Sequence, residues 1–224
     1  MSEMNITVDF GDRKYDIGMA DITRMFHMCY YNSRIWENTF WHGHQILKCP
    51  MDMWIYQELI WKIKPDYIIE AGTFRGGSAL FYAHLFDLQG KGEVITIDVL
   101  ERENRPEHAR IHYLTGSSSD VVTYEKVQAM VGENKTVMVV LDSDHSRDHV
   151  FKEMNLWHPM VSHHSYMIVE DSNVNGHPVR PDFGPGPMEA IDDFLKINDT
   201  FSIDTDQEKF LMTQNPRGYL KKIR

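Results

Sequence analysis

The chain has 224 residues, 42% of them apolar, and a formal net charge of −10 at pH 7. That is enough for one good-sized core, and it argues against a general nucleic-acid binder or a protein that docks on anionic lipid through a basic face. Two cysteines, Cys29 and Cys49, in no CxxC or paired pattern speak against a disulfide framework or a structural zinc site, and with no signal-like apolar core and no run approaching a membrane span, a soluble cytoplasmic protein is expected.

Residues 1–64 are helical in tone, rich in Trp, Tyr and Met, and end in MDMWIYQELIWKI (51–63), which reads as a helix covering a sheet. We expect a helical N-terminal extension over 1–64 and a catalytic domain over 65–224. Short β-branched runs ending in Gly or Asp predict strands at 66–72, 93–99, 110–114, 136–142 and 165–171. Helical spacing fills roughly 76–88, 119–131, 147–158 and 187–198 between and after them. Strands apolar on both faces, alternating with helices, predict an α/β fold with a parallel sheet covered on both sides. TFSIDTDQEKFLMTQ (200–214) reads as two strands around an Asp-rich turn, too close for a helical crossover, so a final antiparallel hairpin is expected.

In an open parallel sheet, ligands bind outside the carboxyl ends of the strands. The first clear strand runs into EAGTFRGGSA (70–79), whose glycines let the backbone approach a ligand and open the next helix. The spacing is neither G-x-G-x-x-G nor a P-loop. Glu70 would repel a pyrophosphate and welcome a cation. Asp98, ending the next strand, suits ribose hydroxyls. Together they point to a positively charged nucleoside, S-adenosylmethionine rather than NAD; the plain alternative is a tight turn with Asp98 capping a loop.

The fourth strand ends in LDSDH and the fifth in IVED. Neighbouring strands would bring Asp142, Glu170 and Asp171 to one rim, where three carboxylates repel unless a cation sits among them. Hard oxygen ligands with room for substrate and water favour Mg²⁺, with Mn²⁺ as the alternative. One of Asp142, Ser143 and Asp144 is also placed to cap a helix beginning near residue 147, and Arg147, Asp148 and His149 read as its solvated start.

Glu70-Ala-Gly72-Thr73-Phe74-Arg-Gly76-Gly-Ser78-Ala resembles the first motif of the catechol-type, metal-dependent O-methyltransferases. The resemblance is closer to the cephalosporin hydroxylase/methyltransferase family of cephamycin biosynthesis and its sugar O-methyltransferase relatives. WHGHQILKCPMD (41–52), IIEAGTFRGGSA, LDSDHS, VEDSNVNGHPV and FGPGPMEAI (183–191) carry it in order, from about residue 41 to 198. It implies a Rossmann-like class I methyltransferase with a mostly parallel seven-stranded sheet. Ser78 would hold the methionine carboxylate, Asp98 the ribose, and Gly116, Ser117 and Ser118 would face adenine. Asp142, Glu170 and Asp171 would be the metal ligands. The catechol-type enzymes place a Lys as general base three residues beyond the first metal Asp; here that position is His145, with Asp144 as the alternative.

The other histidines, His42-x-His44 and His163-His164 among them, form no H-E-x-x-H, and no facial-triad core is present. A metal-dependent hydrolase or hydroxylase on the same scaffold is the alternative reading. The Gly- and Pro-rich stretch 173–187 is expected to be a substrate lid, or a stiff crossover in its far half. Trp41-His42-Gly43 reads as a second wall or as core packing. The expected acceptor is a hydroxyl of a sugar, glycan or small secondary metabolite, and the expected assembly a homo-oligomer.

Overall fold

The computed structural model describes residues 5–9 and 11–224. The N-terminal region departs from the helical expectation. It opens on an antiparallel hairpin of β1 (Asn5–Asp9) and β2 (Lys14–Gly18), followed by helix α1 (Met19–Asn32). Ile6 faces Ile17 and Val8 faces Tyr15 across the pair, so alternating apolar residues form the cross-strand contacts that stabilise a hairpin. A two-residue pairing of β3 (Phe40–Trp41) with β4 (His44–Gln45) leads to α2 (Pro50–Ile63), where Pro50 supplies a preset φ at the helix start.

The predicted strands then appear as β5 (Tyr67–Ala71), β6 (Glu93–Asp98), β7 (Ile111–Thr115), β8 (Val137–Leu141) and β9 (Tyr166–Val169). Between and after them lie α3 (Gly77–Gln89), α4 (Val121–Val131), α5 (Arg147–Trp157) and α6 (Pro187–Ile197). With β10 (Phe201–Ile203) and β11 (Tyr219–Lys222), they form a seven-stranded sheet in the order β10-β11-β9-β8-β5-β6-β7. The pairings from β7 to β9 are parallel, and β11 lies antiparallel between β9 and β10.

Strand β8 shows why these runs are apolar on both faces. Val137, Val139 and Leu141 pack with residues of α4, α5 and α6, while Met138 and Val140 join α2 and α3 on the other side. Successive side chains of a strand point to opposite faces, and burying each contributes ~1.5–3 kcal/mol. Helix α2 belongs to this second layer through Met53, Ile55, Tyr56, Leu59 and Ile60. Among the described residues, no helix is long and apolar enough to cross a membrane.

The final hairpin forms, but its second strand is Tyr219–Lys222 rather than part of 200–214. Asp204 turns the chain by accepting the Asp206 amide, starting a short 3-10 turn at Thr205–Glu208. Thr213 and Gln214 are then tied to α2: the Thr213 hydroxyl donates to Asp52 Oδ1 (2.5 Å) and the Gln214 amide to Oδ2 (2.9 Å). That anchorage takes 213–215 out of reach of strand pairing.

Candidate active site

Strands β5, β6, β8 and β9 all end at one edge of the sheet, and β5 and β8, at its centre, hold two half-sites side by side. In the first, Glu70 lies fully buried. Its Oε2 accepts the Thr96 hydroxyl (2.6 Å), while Oε1 is buried with no hydrogen-bond partner at ordinary geometry among the described residues. Burial pushes the Glu70 carboxyl up to about 7, against the pull of Lys48, Ser78 and Thr96. Thr73 is buried, its hydroxyl 2.7 Å from that of Thr96. Gly76, in the left-handed region at φ 77°, begins α3 without a side chain to cap it, and Ser78 is buried in the first turn. Four backbone N–H groups at a helix start lack intrahelical partners, so an uncapped start favours an anion.

Asp98 is half-buried. Its Oδ2 accepts the Phe74 amide (2.8 Å) and its Oδ1 the Leu100 amide (2.9 Å), with Arg105 Nη2 at 3.4 Å. Gly116 lies against Thr123, where a Cβ would come within 2.7 Å of the hydroxyl oxygen. Ser117 Oγ is 3.1 Å from Ser119 Oγ, and the buried Ser118 accepts the Trp157 indole N–H through its carbonyl (2.7 Å). Glu70, Asp98 and Gly116–Ser118 thus lie at the ends of β5, β6 and β7. Gly72 has a further reason to be glycine: at φ 98°, a Cβ would sit 1.8 Å from the Asp142 carbonyl oxygen.

In the second half-site, His145 stands with two of the three expected carboxylates. Asp142, His145 and Asp171 converge, each offering a ligand atom within 4.8 Å of the others. His145 Nε2 lies 3.2 Å from Asp142 Oδ1 and 3.3 Å from Asp171 Oδ2. Burial alone would lower this imidazole, but the two carboxylates outweigh it and hold His145 up to about 9. Glu170 stands beside them, sharing Lys48 with Asp142. Its Oε1 accepts from Lys48 Nζ and from the Tyr56 hydroxyl, both at 2.6 Å. Burial and Asp142 push Glu170 up to about 8, and burial also raises Asp171.

Asp144 does not join the cluster. It is exposed, and its Oδ1 accepts the Ser146 amide (2.8 Å), bracing the turn into α5. Short acidic side chains before a helix do this readily. Trp41 packs edge-on against Phe81 at 4.9 Å and donates to His84 (2.9 Å), so its segment lies against α3 rather than walling the acid corner. The 173–187 loop is firmly held: Glu189 accepts from Asn175, His177 and Gly186, and Asn173, Val174 and Val179 are buried.

Helix α1 borders the acid corner, which the sequence did not signal. Burial and then Asp171 push the Tyr31 hydroxyl up, while Arg180 of the loop pulls it down. A cavity of about 920 Å³ lies between α1, His177–Pro178 and residues 208–216, lined by Met19, His27, Leu211 and Thr213 among others. Its wall joins the rim where His27 Nε2 meets Asn173 Nδ2 at 2.9 Å. Burial holds His27 down at about 4. The folded state thus resists the proton that the unfolded chain takes up near 6.5. This contribution to stability is complete above pH 6.5 and is lost as pH falls toward 4, about 3 kcal/mol in all. Urea unfolding at pH 7 and pH 4.5 should show that loss in the wild type and a smaller one in His27→Gln. Equal losses in both would remove His27 as the cause.

The fold and this strand-end site define a class I O-methyltransferase. The pattern of the family described as Rhamnosyl O-methyltransferase/CmcI matches residues 33–223. The chain belongs to that family. The rhamnosyl O-methyltransferase of Mycobacterium tuberculosis is 37% identical over 206 residues, covering 89% of this chain and 84% of its own. That of Mycobacterium leprae is 37% identical over 175 residues, 76% of each chain. Among solved structures, CmcI with Mg and SAM superposes with a TM-score of 0.63 at 22% identity, over 84% of this chain and 78% of that one. An O-methyltransferase from Bacillus cereus in complex with SAH gives 0.53 at 14% identity, over 91% of each. At these identities the structures establish the shared fold.

Proposed function

We propose that the protein transfers the methyl group of S-adenosylmethionine to a sugar hydroxyl, with a divalent cation at the acid corner. The observation that carries this reading is the meeting of the two half-sites at adjacent strands. Glu70 Oε1, buried and without a hydrogen-bond partner among the described residues, suits an ammonium or sulfonium, and the uncapped start of α3 suits a carboxylate. S-adenosylmethionine carries all of these. Asp98, at the end of β6, would meet its ribose.

The acid corner fits a small divalent ion for a similar reason. Burial first, and the Asp142 charge after it, push Glu170 and Asp171 up, so both carboxylates gain from a cation brought into the corner. Asp142, Glu170 and Asp171 would hold the ion, Mg²⁺ by its preference for oxygen or Mn²⁺ as the alternative. Such an ion, when bound, lowers the pKa of an acceptor hydroxyl. With the ion bound, its charge would offset the two carboxylates that hold the imidazolium, and His145 Nε2 would then be free to take the proton. Tyr31 and Arg180 border the acceptor side, and the cavity beside α1 has room for the rest of a glycoside. On this reading residues 65–224 form the catalytic unit and 1–64 its cover.

The name carried by the 37% identical relatives favours a rhamnosyl acceptor. Purified protein with S-adenosylmethionine, Mg²⁺ and a panel of rhamnosides and other glycosides should give a methylated product by mass spectrometry. Tight NAD binding with no response to S-adenosylhomocysteine would sink the reading. In calorimetry, Asp98→Ala should weaken S-adenosylhomocysteine binding by about 1–3 kcal/mol, as for a charge-assisted hydrogen bond lost. Unchanged affinity would take Asp98 out of the cofactor site.

A further inference from the structure

The turns that follow β5 and β6 are tied together by one acid and one base acting on the same two residues. Asp98 accepts both amides, the Phe74 N–H at 2.8 Å and the Leu100 N–H at 2.9 Å. Arg105 takes both carbonyls: its Nε donates to the Phe74 oxygen (3.1 Å) and its Nη2 to the Leu100 oxygen (2.8 Å). The acid and the base also face each other, with Arg105 Nη2 3.4 Å from Asp98 Oδ2 and the Arg105 side chain 8% exposed. We propose that Arg105 is a positioning residue of the nucleoside half-site. With Asp98 it forms a reciprocal clamp that sets the two turns in their binding arrangement before the cofactor arrives. The inference rests on reading those turns as the S-adenosylmethionine site.

Three features support it. Phe74 has a φ of 46°, a left-handed conformation that a residue with a Cβ keeps only where its surroundings impose it. Its amide goes to Asp98 and its carbonyl to Arg105, so the clamp grips the strained residue from both sides. A guanidinium suits the second grip, because its planar fork holds several donors in fixed directions, whereas an ammonium is a compact point charge. The clamp is also backed by the start of α3. Arg105 lies over the Tyr113 ring at 5.4 Å, and the Tyr113 hydroxyl donates to the Pro106 carbonyl (2.8 Å). A Cβ on Gly76 would come within 2.7 Å of that hydroxyl and 3.0 Å of Pro106 Cδ. The base, the two turns and the uncapped helix start are therefore one packed piece.

A lysine could replace an arginine that merely balances the charge of Asp98, but not one that grips two carbonyls at once. S-adenosylhomocysteine binding should be measured by calorimetry on the full chain, with thermal unfolding of the free protein as the check on folding. Arg105→Lys and Arg105→Met should both weaken binding by about tenfold or more, as for a charge-assisted hydrogen bond lost. In a Phe74→Gly background, where glycine adopts the left-handed turn without strain, Arg105→Met should cost about threefold or less. Amide hydrogen exchange tests the clamp without any substitution. The Phe74 and Leu100 amides should already be protected in the cofactor-free wild type. Full binding by Arg105→Lys overturns the proposal, and so does an equal cost of Arg105→Met in both backgrounds. Amides protected only once S-adenosylhomocysteine is bound overturn it as well. Should the Arg105 variants fail to fold, the exchange measurement decides. Wild-type protein that binds no S-adenosylhomocysteine overturns this inference together with the cofactor reading. Wild-type binding with unaffected Arg105 variants removes the role of Arg105 alone.

Discussion

Asp142→Asn should retain S-adenosylhomocysteine binding and lose turnover by roughly 10³-fold, since charge stabilisation by a catalytic ion is worth several kcal/mol and each 1.4 kcal/mol is a factor of ten. Asp142 offers one carboxylate oxygen to the corner and the other to Lys48, so the substitution removes a charge from the ion's position and from a buried pair together. Calorimetry with S-adenosylhomocysteine separates a damaged metal corner from a misfolded protein. Excess chelator on the wild type should reproduce the loss, and added Mg²⁺ should reverse it. Full turnover in chelator, or an Asp142→Asn enzyme within a few-fold of wild type, would take the ion out of the reaction.

His145→Ala should cut turnover by roughly 10²–10⁴-fold, the usual worth of a positioned base. The structure places its Nε2 between two carboxylates and so leaves two roles for it, proton acceptor or metal ligand. Mn²⁺ titration distinguishes them. A base predicts lost turnover with metal affinity nearly unchanged, whereas a ligand predicts that both fall together. An enzyme within a few-fold of wild type would hand the proton to another group, such as His177 on the neighbouring loop.

The central strands were legible because each is buried on both faces, as β8 shows, and a short β-branched run without polar alternation suits a strand covered on both sides. The last strand was not. FLMTQ has the look of a strand, yet Leu211 is exposed and Thr213 and Gln214 bind Asp52, while the true strand YLKK buries only Tyr219 and Leu220. The β1–β2 hairpin was hidden because its residues are mostly exposed and no buried face imposes a pattern. At the site, the rim acids could be read from strand ends, but their partners could not. Lys48 comes from a loop 94 residues before Asp142, and topology alone brings them together. One signal was available: Lys48 is a single charge within Ile46-Leu47-Lys48-Cys49-Pro50, and a charge in an apolar run that becomes buried requires an opposite charge.

The contact between Gly72 and the Asp142 carbonyl makes the nucleoside turn and the acid turn a single mechanical unit. The Asp142 amide donates to the Ala71 carbonyl (2.8 Å) just below the point where a Cβ on Gly72 would strike the Asp142 carbonyl oxygen. Any displacement of one turn is therefore transmitted to the other through backbone rather than through adjustable side chains. For engineering a new acceptor range, segments 70–78 and 142–145 must travel together as one cassette, and diversity belongs in α1 and in the loop around Arg180, which approach the acid corner from outside that joint.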